Sequence, residues 1–141
     1  MPIFQPHPQL LKDTVPLGRF TLCQLLLMND SQYPWFILLP ERENIRELYE
    51  LDDADRQQLW EESAQLSRTL TELFKPDKLN IAALGNQVPQ LHVHHIARYS
   101  HDPAWPAPVW GKLPPKPYYS AEIHKLKSLL INNMQSLLGT L

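Results

Sequence analysis

One long amphipathic pattern restricts the possible folds of this chain more than any other feature. In residues 54–74, apolar side chains recur on one face at helical spacing, with Trp60 and Phe74 flanking that face. Asp52 or Asp53 can cap such a helix at its start. Two strand-like segments precede the helix and two follow it. Two hairpins separated by a helix favour an antiparallel sheet with helices on one face, which is an α+β domain.

The strand predictions depend on apolar, strand-forming residues bounded by turn formers. The predicted strands are residues 18–28, 35–40, 78–84 and 90–98. The first two are expected to pair as a hairpin, because the segment between them is rich in Asn, Asp, Ser and Pro.

Prolines mark the segments outside these elements. Residues 1–18 contain four of them, which predicts an irregular arm with a helical turn at 8–12. Residues 99–117 contain six prolines and two tryptophans, a composition typical of an ordered, extended loop. A last amphipathic helix is predicted at about 120–138, with Ser120 as its cap. No internal repeat is present, so all 141 residues are predicted to form a single domain.

The charge balance argues against two classes of partner. Thirteen Lys and Arg residues against fifteen Asp and Glu residues give a net charge of -2, and no basic cluster is present. A nucleic acid or an anionic membrane surface is therefore not expected as the main partner. No signal peptide is recognisable, and no apolar run reaches the roughly 18 residues that span a bilayer.

Cys23 is the only cysteine, so no disulfide can form within the chain. It lies in the apolar segment 18–28, where a buried and unreactive thiol is expected. A chain without disulfides fits a reducing compartment, and the sequence predicts a cytoplasmic protein.

Three of the six histidines lie within four positions of the fourth predicted strand. The side chains of a strand alternate between its faces, so Gln90, His92 and His94 are expected on one face and His95 on the other. Such a polar row allows three interpretations. The first is structural: the histidines are buried and satisfied by backbone partners, although each of two adjacent imidazoles then needs partners of its own.

The other two interpretations are chemical. A His-x-His pair can bind zinc, but a zinc site needs further ligands, and the candidates His101 and Asp102 stand at no recognised ligand spacing. Alternatively, a neutral imidazole is a nucleophile at pH 7 and can accept a phosphoryl or nucleotidyl group on a ring nitrogen. That reaction needs an anion site, to which the amides of a turn at 85–89 can contribute.

The segment NIAALGNQVPQLHVHHIAR, residues 80–98, resembles the histidine triad (HIT) family. That family carries a strand and a Gly-Gln turn, followed by His-x-His-x-His and two apolar residues. In this register the second histidine of the motif is His92 and the third is His94. Gln90 replaces the first, so the motif here is a Gln-x-His-x-His variant.

The resemblance extends over a core of about residues 17–98. Residues 25–42 are similar to the opening hairpin of the family, and the predicted helix at 54–74 is similar to its main helix. The segment at 101–117, within the Pro- and Trp-rich extension 99–117, resembles that of a proteobacterial-type subgroup.

The resemblance implies a nucleotide hydrolase or transferase that forms a nucleotidyl-histidine intermediate. Its substrate would be a nucleoside phosphoramidate or a dinucleoside polyphosphate, its usual assembly a homodimer, and no cofactor or catalytic metal would take part. His92 would attack the α-phosphorus and His94 would bind the phosphate. Further contacts to the nucleotide would come from four side chains: Asn29 at the ribose, and Asn80, Gln87 and Gln90 at the phosphate.

The sequence departs from the family pattern at three places. Gln90 cannot titrate as a histidine can, Pro34-Trp35 replaces a Gly-His pair in the hairpin, and His95 stands where an apolar residue is usual. These departures leave open a nucleotide-binding module with little or no turnover. A second register is also open, with His92 as the first histidine and His94 as the nucleophile, although it fits the following residues less well.

Overall fold

The computed structural model describes residues 3–134. In chain order its regular elements are α1 (Pro8–Asp13), β1 (Thr14–Arg19), β2 (Cys23–Met28), β3 (Trp35–Pro40), α2 (Asp53–Phe74), β4 (Lys78–Ala82), β5 (Val93–Arg98) and α3 (Ser120–Asn133). A 3₁₀ helix at Leu48–Glu50 lies between β3 and α2. Between residues 3 and 134, no helix is both long enough and apolar enough to cross a lipid bilayer.

The five strands form one antiparallel sheet in the order β1-β2-β3-β5-β4. Strand β5 therefore lies between β3 and β4, while β1 and β4 are the edges. One apolar cluster joins the sheet to α2 and α3 and includes Phe36, Leu66 and Leu130. A second cluster, which includes Ile96 and Val109, joins the sheet to the loop that follows β5. The predicted α+β class is confirmed.

The prediction of a single strand at 18–28 is wrong, because the chain reverses inside that segment. β1 ends at Arg19, and β2 begins at Cys23 and pairs back against it. Glu62 of α2 stabilises the reversal by accepting hydrogen bonds from the amides of Leu22 and Cys23, each at 2.9 Å. A carboxylate supplied from a distant helix is not visible in the local sequence.

Strand β1 falls largely within the segment predicted as an irregular arm. Pro16 suggested irregular backbone, but an edge strand tolerates a proline, because a backbone amide on its outer side needs no partner. The pairing with β2 is also interrupted by an irregularity between Pro16 and Gly18. The helical turn predicted at 8–12 corresponds to α1, which packs against this strand.

Helix α2 follows the prediction closely. Asp52 caps it, accepting a hydrogen bond from the amide of Asp55 at 2.8 Å. The predicted apolar face is buried at Leu59, Ser63, Leu66 and Leu70. Trp60, predicted to flank that face, is 69% exposed.

Other element boundaries also differ from the sequence prediction. β4 ends at Ala82 instead of residue 84. β5 begins at Val93 instead of residue 90. Helix α3 begins at Ser120, so its cap is Tyr119, whose amide donates to the Glu122 carboxylate at 3.0 Å. The cap predicted at Ser120 is therefore one residue late. α3 ends at Asn133, before an extended Met134, whereas the helix end predicted at 138 lies outside the described residues.

Candidate active site

The two histidines of the motif lie side by side at the start of β5. His92 immediately precedes the strand and His94 is its second residue, and their ring centroids are 4.9 Å apart. Both are buried, with 7% and 4% of their surface exposed. The later start of the strand therefore does not separate the two rings.

A backbone carbonyl determines which ring nitrogen of His92 carries the proton. Its Nδ1 lies 2.7 Å from the carbonyl oxygen of Gln90. Because a carbonyl oxygen can only accept a hydrogen bond, Nδ1 carries the proton and Nε2 keeps a lone pair. Burial lowers the pKa of His92, although the bond to Gln90 opposes this effect. His92 is therefore a neutral imidazole with a nucleophilic Nε2 at pH 7.

In His94 a side chain determines which nitrogen carries the proton, and the protonated nitrogen is Nε2 instead of Nδ1. The indole Nε1 of Trp35 donates to Nδ1 of His94 over 2.9 Å. An indole nitrogen can only donate, so Nδ1 is the acceptor and the proton of the neutral ring sits on Nε2. Burial and the neighbouring His92 and His95 lower the pKa of His94 to about 3. His94 is thus a hydrogen-bond donor through Nε2.

His95 points to the other side of the sheet, where α2 covers it completely. Its Nδ1 lies 3.1 Å from the carbonyl oxygen of Val93, and its Nε2 lies 2.7 Å from the hydroxyl of Ser63. Nδ1 therefore donates, and Nε2 accepts the hydroxyl proton. Burial lowers the pKa of His95 to about 4. A polar partner on α2 is what allows a histidine at this apolar position.

A cavity of about 360 Å³, the histidine cavity, opens in front of His92 and His94. Its other walls come from α1, from the end of β2, from the turn before the histidines and from the loop after β5. These walls comprise Gln9, Leu10, Asp13, Met28, Leu84, Gly85, Asn86, Gln87, Val88, Trp110 and Gly111. Gly85 has a φ of +72°, a backbone conformation that favours glycine, and so allows the tight turn beside His92.

Of the predicted phosphate contacts, Gln87 lines the histidine cavity and Gln90 does not. The Gln90 amide instead forms two hydrogen bonds with the N-terminal arm, the residues before α1. Its Oε1 accepts from the amide of His7 at 2.7 Å, and its Nε2 donates to the carbonyl oxygen of Gln5 at 3.1 Å. The glutamine that replaces the first histidine therefore serves as an anchor for residues before α1.

Asn29 and Asn80 also lie outside the histidine cavity. Asn29 lines an adjoining cavity of about 330 Å³, which shares Met28 and Trp110 with the first, and its Oδ1 accepts from the amide of Tyr118 at 2.9 Å. The Oδ1 of Asn80 accepts from Arg98 at 2.8 Å. Their roles toward a nucleotide remain predictions.

Arg98, at the end of β5, holds the loop that closes the cavity. It is 1% exposed and donates to both carboxylate oxygens of Asp102, at 2.8 and 3.1 Å, and to the carbonyl oxygen of Ala107 at 2.9 Å. Its guanidinium lies 5.7 Å from the ring centre of Trp105. Burial alone would raise the pKa of Asp102, but the hydrogen bonds from Arg98 and from backbone amides lower it to about 2. The ion pair with Asp102 and the hydrogen bond to Ala107 together hold residues 98–107 as one unit.

Trp110 extends from that unit over His94. Its ring centroid is 5.1 Å from that of His94 and 5.8 Å from that of Trp35, both in edge-on geometry. The sequence predicted only an ordered loop at 99–117, and it identified Trp35 only as part of a departure from the family's hairpin. The sequence could not predict this contact, because Trp110, on the loop after β5, reaches Trp35 of β3 only when β3 and β5 pair.

Zinc has no ligand set near these histidines in the part of the chain that the structure describes. Among residues 3–134, no group of three His, Cys, Asp or Glu side chains is arranged to hold a metal ion. Asp102, one of the candidates, is paired with Arg98. Cys23 is buried, as predicted, and burial raises the pKa of its thiol.

The family follows from comparison with known proteins. The HIT domain family matches residues 11–101, so this chain belongs to the HIT domain family. Members of this family are in general nucleotide hydrolases or transferases. The resemblance seen in the sequence is thus confirmed. No curated protein matches the chain.

Solved structures give the same result over nearly the whole chain. A histidine triad protein from Marinobacter aquaeolei VT8 is 51% identical, with a TM-score of 0.93, and the match covers 97% of this chain and 100% of that one. A histidine triad protein from Bradyrhizobium japonicum is 44% identical, with a TM-score of 0.91 over 94% of this chain and 99% of that one. One from Sinorhizobium meliloti 1021 is 41% identical, with a TM-score of 0.90 over 92% and 96%.

Proposed function

We propose that this HIT-family chain is a nucleotidyl hydrolase or transferase with His92 as its nucleophile. The substrate is a nucleoside phosphoramidate or a dinucleoside polyphosphate, and the reaction takes place at its α-phosphorus. The observation that supports this most strongly is the 2.7 Å hydrogen bond from Nδ1 of His92 to the Gln90 carbonyl, which leaves the Nε2 lone pair of a cavity-lining ring available for attack.

The reaction has two displacements at phosphorus. In the first, Nε2 of His92 forms a bond to the α-phosphorus, and the bond to the leaving group breaks with its electron pair on the leaving group. In the second, water attacks the same phosphorus and releases a proton to the solvent, and the bond from phosphorus to Nε2 breaks with its electron pair on Nε2. Nε2–H of His94 donates to a phosphoryl oxygen as charge develops on it, with Gln87 and turn amides as further donors.

The adduct itself tests this proposal. Wild type, His92→Ala and His94→Ala are mixed with diadenosine polyphosphates and with adenylyl and guanylyl phosphoramidates, quenched without acid and analysed by mass spectrometry. A nucleotidyl adduct is expected on wild type and, in smaller amount, on His94→Ala. An adduct on His92→Ala would move the nucleophile to His94.

A second candidate, a nucleotide-binding module without turnover, is favoured by one observation. Gln90 is committed to the N-terminal arm and does not face the histidine cavity. If wild type binds AMP tightly but forms neither adduct nor product from any of these substrates, the binding module is the correct interpretation.

We also propose a homodimer. The edge strand β4 carries Ile81, which is 48% exposed, and α2 presents Trp60, which is 69% exposed. Exposed apolar side chains and an open sheet edge are features that a second copy can cover. Analytical ultracentrifugation at micromolar concentration is expected to show a dimer, which Trp60→Glu weakens. A monomeric wild type would refute the proposal.

A further inference from the structure

The chemistry of nucleotidyl transfer divides possible substrates by their leaving group. A phosphate or polyphosphate leaves as a stable anion and needs no proton. An amine cannot leave as an anion, so its nitrogen must take up a proton as the P–N bond breaks. A general acid in the site typically accelerates such a step by about 100-fold or more. Whether this site contains one can be determined from its hydrogen bonds.

The first motif position supplies no acid. An amide does not ionise, and both ends of the Gln90 amide are already bonded to the N-terminal arm, through His7 and Gln5. The side chain therefore can neither give up a proton nor turn toward the cavity without releasing that arm.

The two motif histidines supply none either. The proton of His92 points at the Gln90 carbonyl, and its other nitrogen is the nucleophile. His94 would become an acid only by taking a second proton on Nδ1, where it would face the indole N–H of Trp35 at 2.9 Å. Two donors cannot share that contact, and the ring is buried, so His94 stays neutral.

Three further titratable groups around the histidine cavity are also unsuited to the task. Asp13 lines the cavity, but it accepts a hydrogen bond from Gln9 Nε2 at 2.9 Å and so acts as an acceptor. His7 is not among the cavity-lining residues, and its Nδ1 caps α1 by accepting from the Gln9 amide at 3.0 Å. His95 faces α2. Glu47 and Tyr49 line a separate cavity of about 290 Å³ that His92 also borders, but both are exposed and neither lines the histidine cavity.

We propose that the site is specific for nucleotidyl anhydrides, whose leaving group departs as a phosphate or polyphosphate anion, and that phosphoramidates of alkylamines are poor substrates. This inference rests on the nucleotidyl transfer proposed above. In the favoured reaction the P–N bond to His92 forms, the bridging P–O bond breaks, and the electron pair stays on the departing phosphate oxygen without proton transfer.

Wild-type protein provides the first test. The rate is measured with diadenosine tetraphosphate, with an AMP alkylphosphoramidate, and with a series of aryl esters of AMP whose phenols differ in acidity. The anhydride is expected to react at least about 100-fold faster than the phosphoramidate. Aryl ester rates are expected to fall steeply as the phenol becomes less acidic. Equal rates for anhydride and phosphoramidate, or ester rates independent of the phenol, would overturn the inference.

Two variants at position 90 sharpen the test. Gln90→His introduces an imidazole where the family has one, while Gln90→Ala releases the arm without adding an acid. The readout is the ratio of anhydride to phosphoramidate turnover within each variant, which cancels any general loss of activity. Gln90→His is expected to lower this ratio by about tenfold or more, whereas Gln90→Ala leaves it near the wild-type value. An equal drop in both variants would show that the arm, and not the missing acid, sets the preference.

The outcomes separate this inference from the proposed function. No turnover of any substrate, including esters of the most acidic phenols, means that the nucleotidyl transfer itself is absent. Turnover with an adduct on His92, but without discrimination between leaving groups, overturns only the anhydride preference.

Discussion

Histidines lie on both faces of strand β5, but the two faces differ in how many ring nitrogens have a partner within the protein. On the face toward α2, His95 has a protein partner at each ring nitrogen, Val93 at one and Ser63 at the other. On the opposite face, His92 and His94 each have one nitrogen fixed by the protein and line a cavity. All three rings are buried, so burial alone does not distinguish a structural histidine from a reactive one. The distinction lies in whether both nitrogens are occupied by the fold.

The largest expected effect tests this comparison directly. His92→Ala removes the nucleophile and is expected to reduce turnover by about 1,000-fold or more. The matched control on the other face is the double variant Ser63→Ala/His95→Leu, which removes both partners of a buried hydrogen bond together. It is expected to keep turnover within about threefold of wild type. If the double variant loses as much activity as His92→Ala, the two faces do not differ in function.

The next effect concerns the charged residue that ends the cavity face of β5. Arg98→Met leaves the Asp102 carboxylate buried without its partner and is expected to lower the free energy of unfolding by about 3–5 kcal/mol. Arg42→Met is the control, because the Arg42–Asp55 pair has similar geometry at 2.7 Å, but its arginine side chain is 47% exposed. Its expected cost is at most about 1 kcal/mol. Chemical denaturation measures both, and similar values would contradict the role given to Arg98.

The buried neutral histidines predict a pH dependence of stability. Their pKa values in the folded protein, about 3 for His94 and about 4 for His95, lie below the ordinary value of 6.5. Below about pH 6.5 the unfolded chain therefore binds protons that the folded chain does not. The free energy of unfolding is expected to fall as the pH is lowered from about 6.5 toward 4, by about 1.4 kcal/mol per pH unit for each such histidine.

The double variant Ser63→Ala/His95→Leu isolates one of these contributions. Denaturation between pH 4.5 and 7.5 is expected to show, below about pH 6.5, a slope smaller by about 1.4 kcal/mol per pH unit than in wild type, and no difference in slope above it. An unchanged slope would mean that His95 can take up a proton in the folded protein. The part of the acid sensitivity that depends on Asp102, whose pKa is about 2, lies below this range and is not affected.

The smallest effect concerns the hydrogen bond between Trp35 and His94. Trp35→Phe keeps an aromatic ring but removes the indole N–H, so His94 is no longer held with its proton on Nε2. Turnover is expected to fall by about 3- to 10-fold, the equivalent of one neutral hydrogen bond. ¹⁵N NMR of the imidazole nitrogens measures the tautomer directly and is expected to show a mixture in this variant. Trp110→Phe alters ring contacts to His94 and Trp35 but no hydrogen bond to the imidazole, and is expected to leave the tautomer unchanged.

Much of the fold was predictable because patterns among nearby residues determine where its helices and strands form. The apolar face and the Asp52 cap identified α2 almost to the residue, since helix periodicity and capping depend only on nearby positions. β3 was predicted with its observed bounds. The prediction of one continuous strand at 18–28 is wrong because Glu62, about 40 positions later in the chain, stabilises a reversal between β1 and β2.

The sequence by itself determined the family and the two neighbouring histidines, because motif spacing and strand alternation are properties of consecutive residues. Only the tertiary structure decided which nitrogen of each ring carries a proton. Those protons are placed by Trp35 on β3, by Ser63 on α2 and by backbone carbonyls whose directions follow from the bend before β5. The tertiary structure also places the Gln90 side chain against the N-terminal arm, where it donates to the carbonyl oxygen of Gln5, 85 positions away. Hydrogen bonds between distant segments depend on how the sheet brings those segments together, so no local pattern could have predicted them.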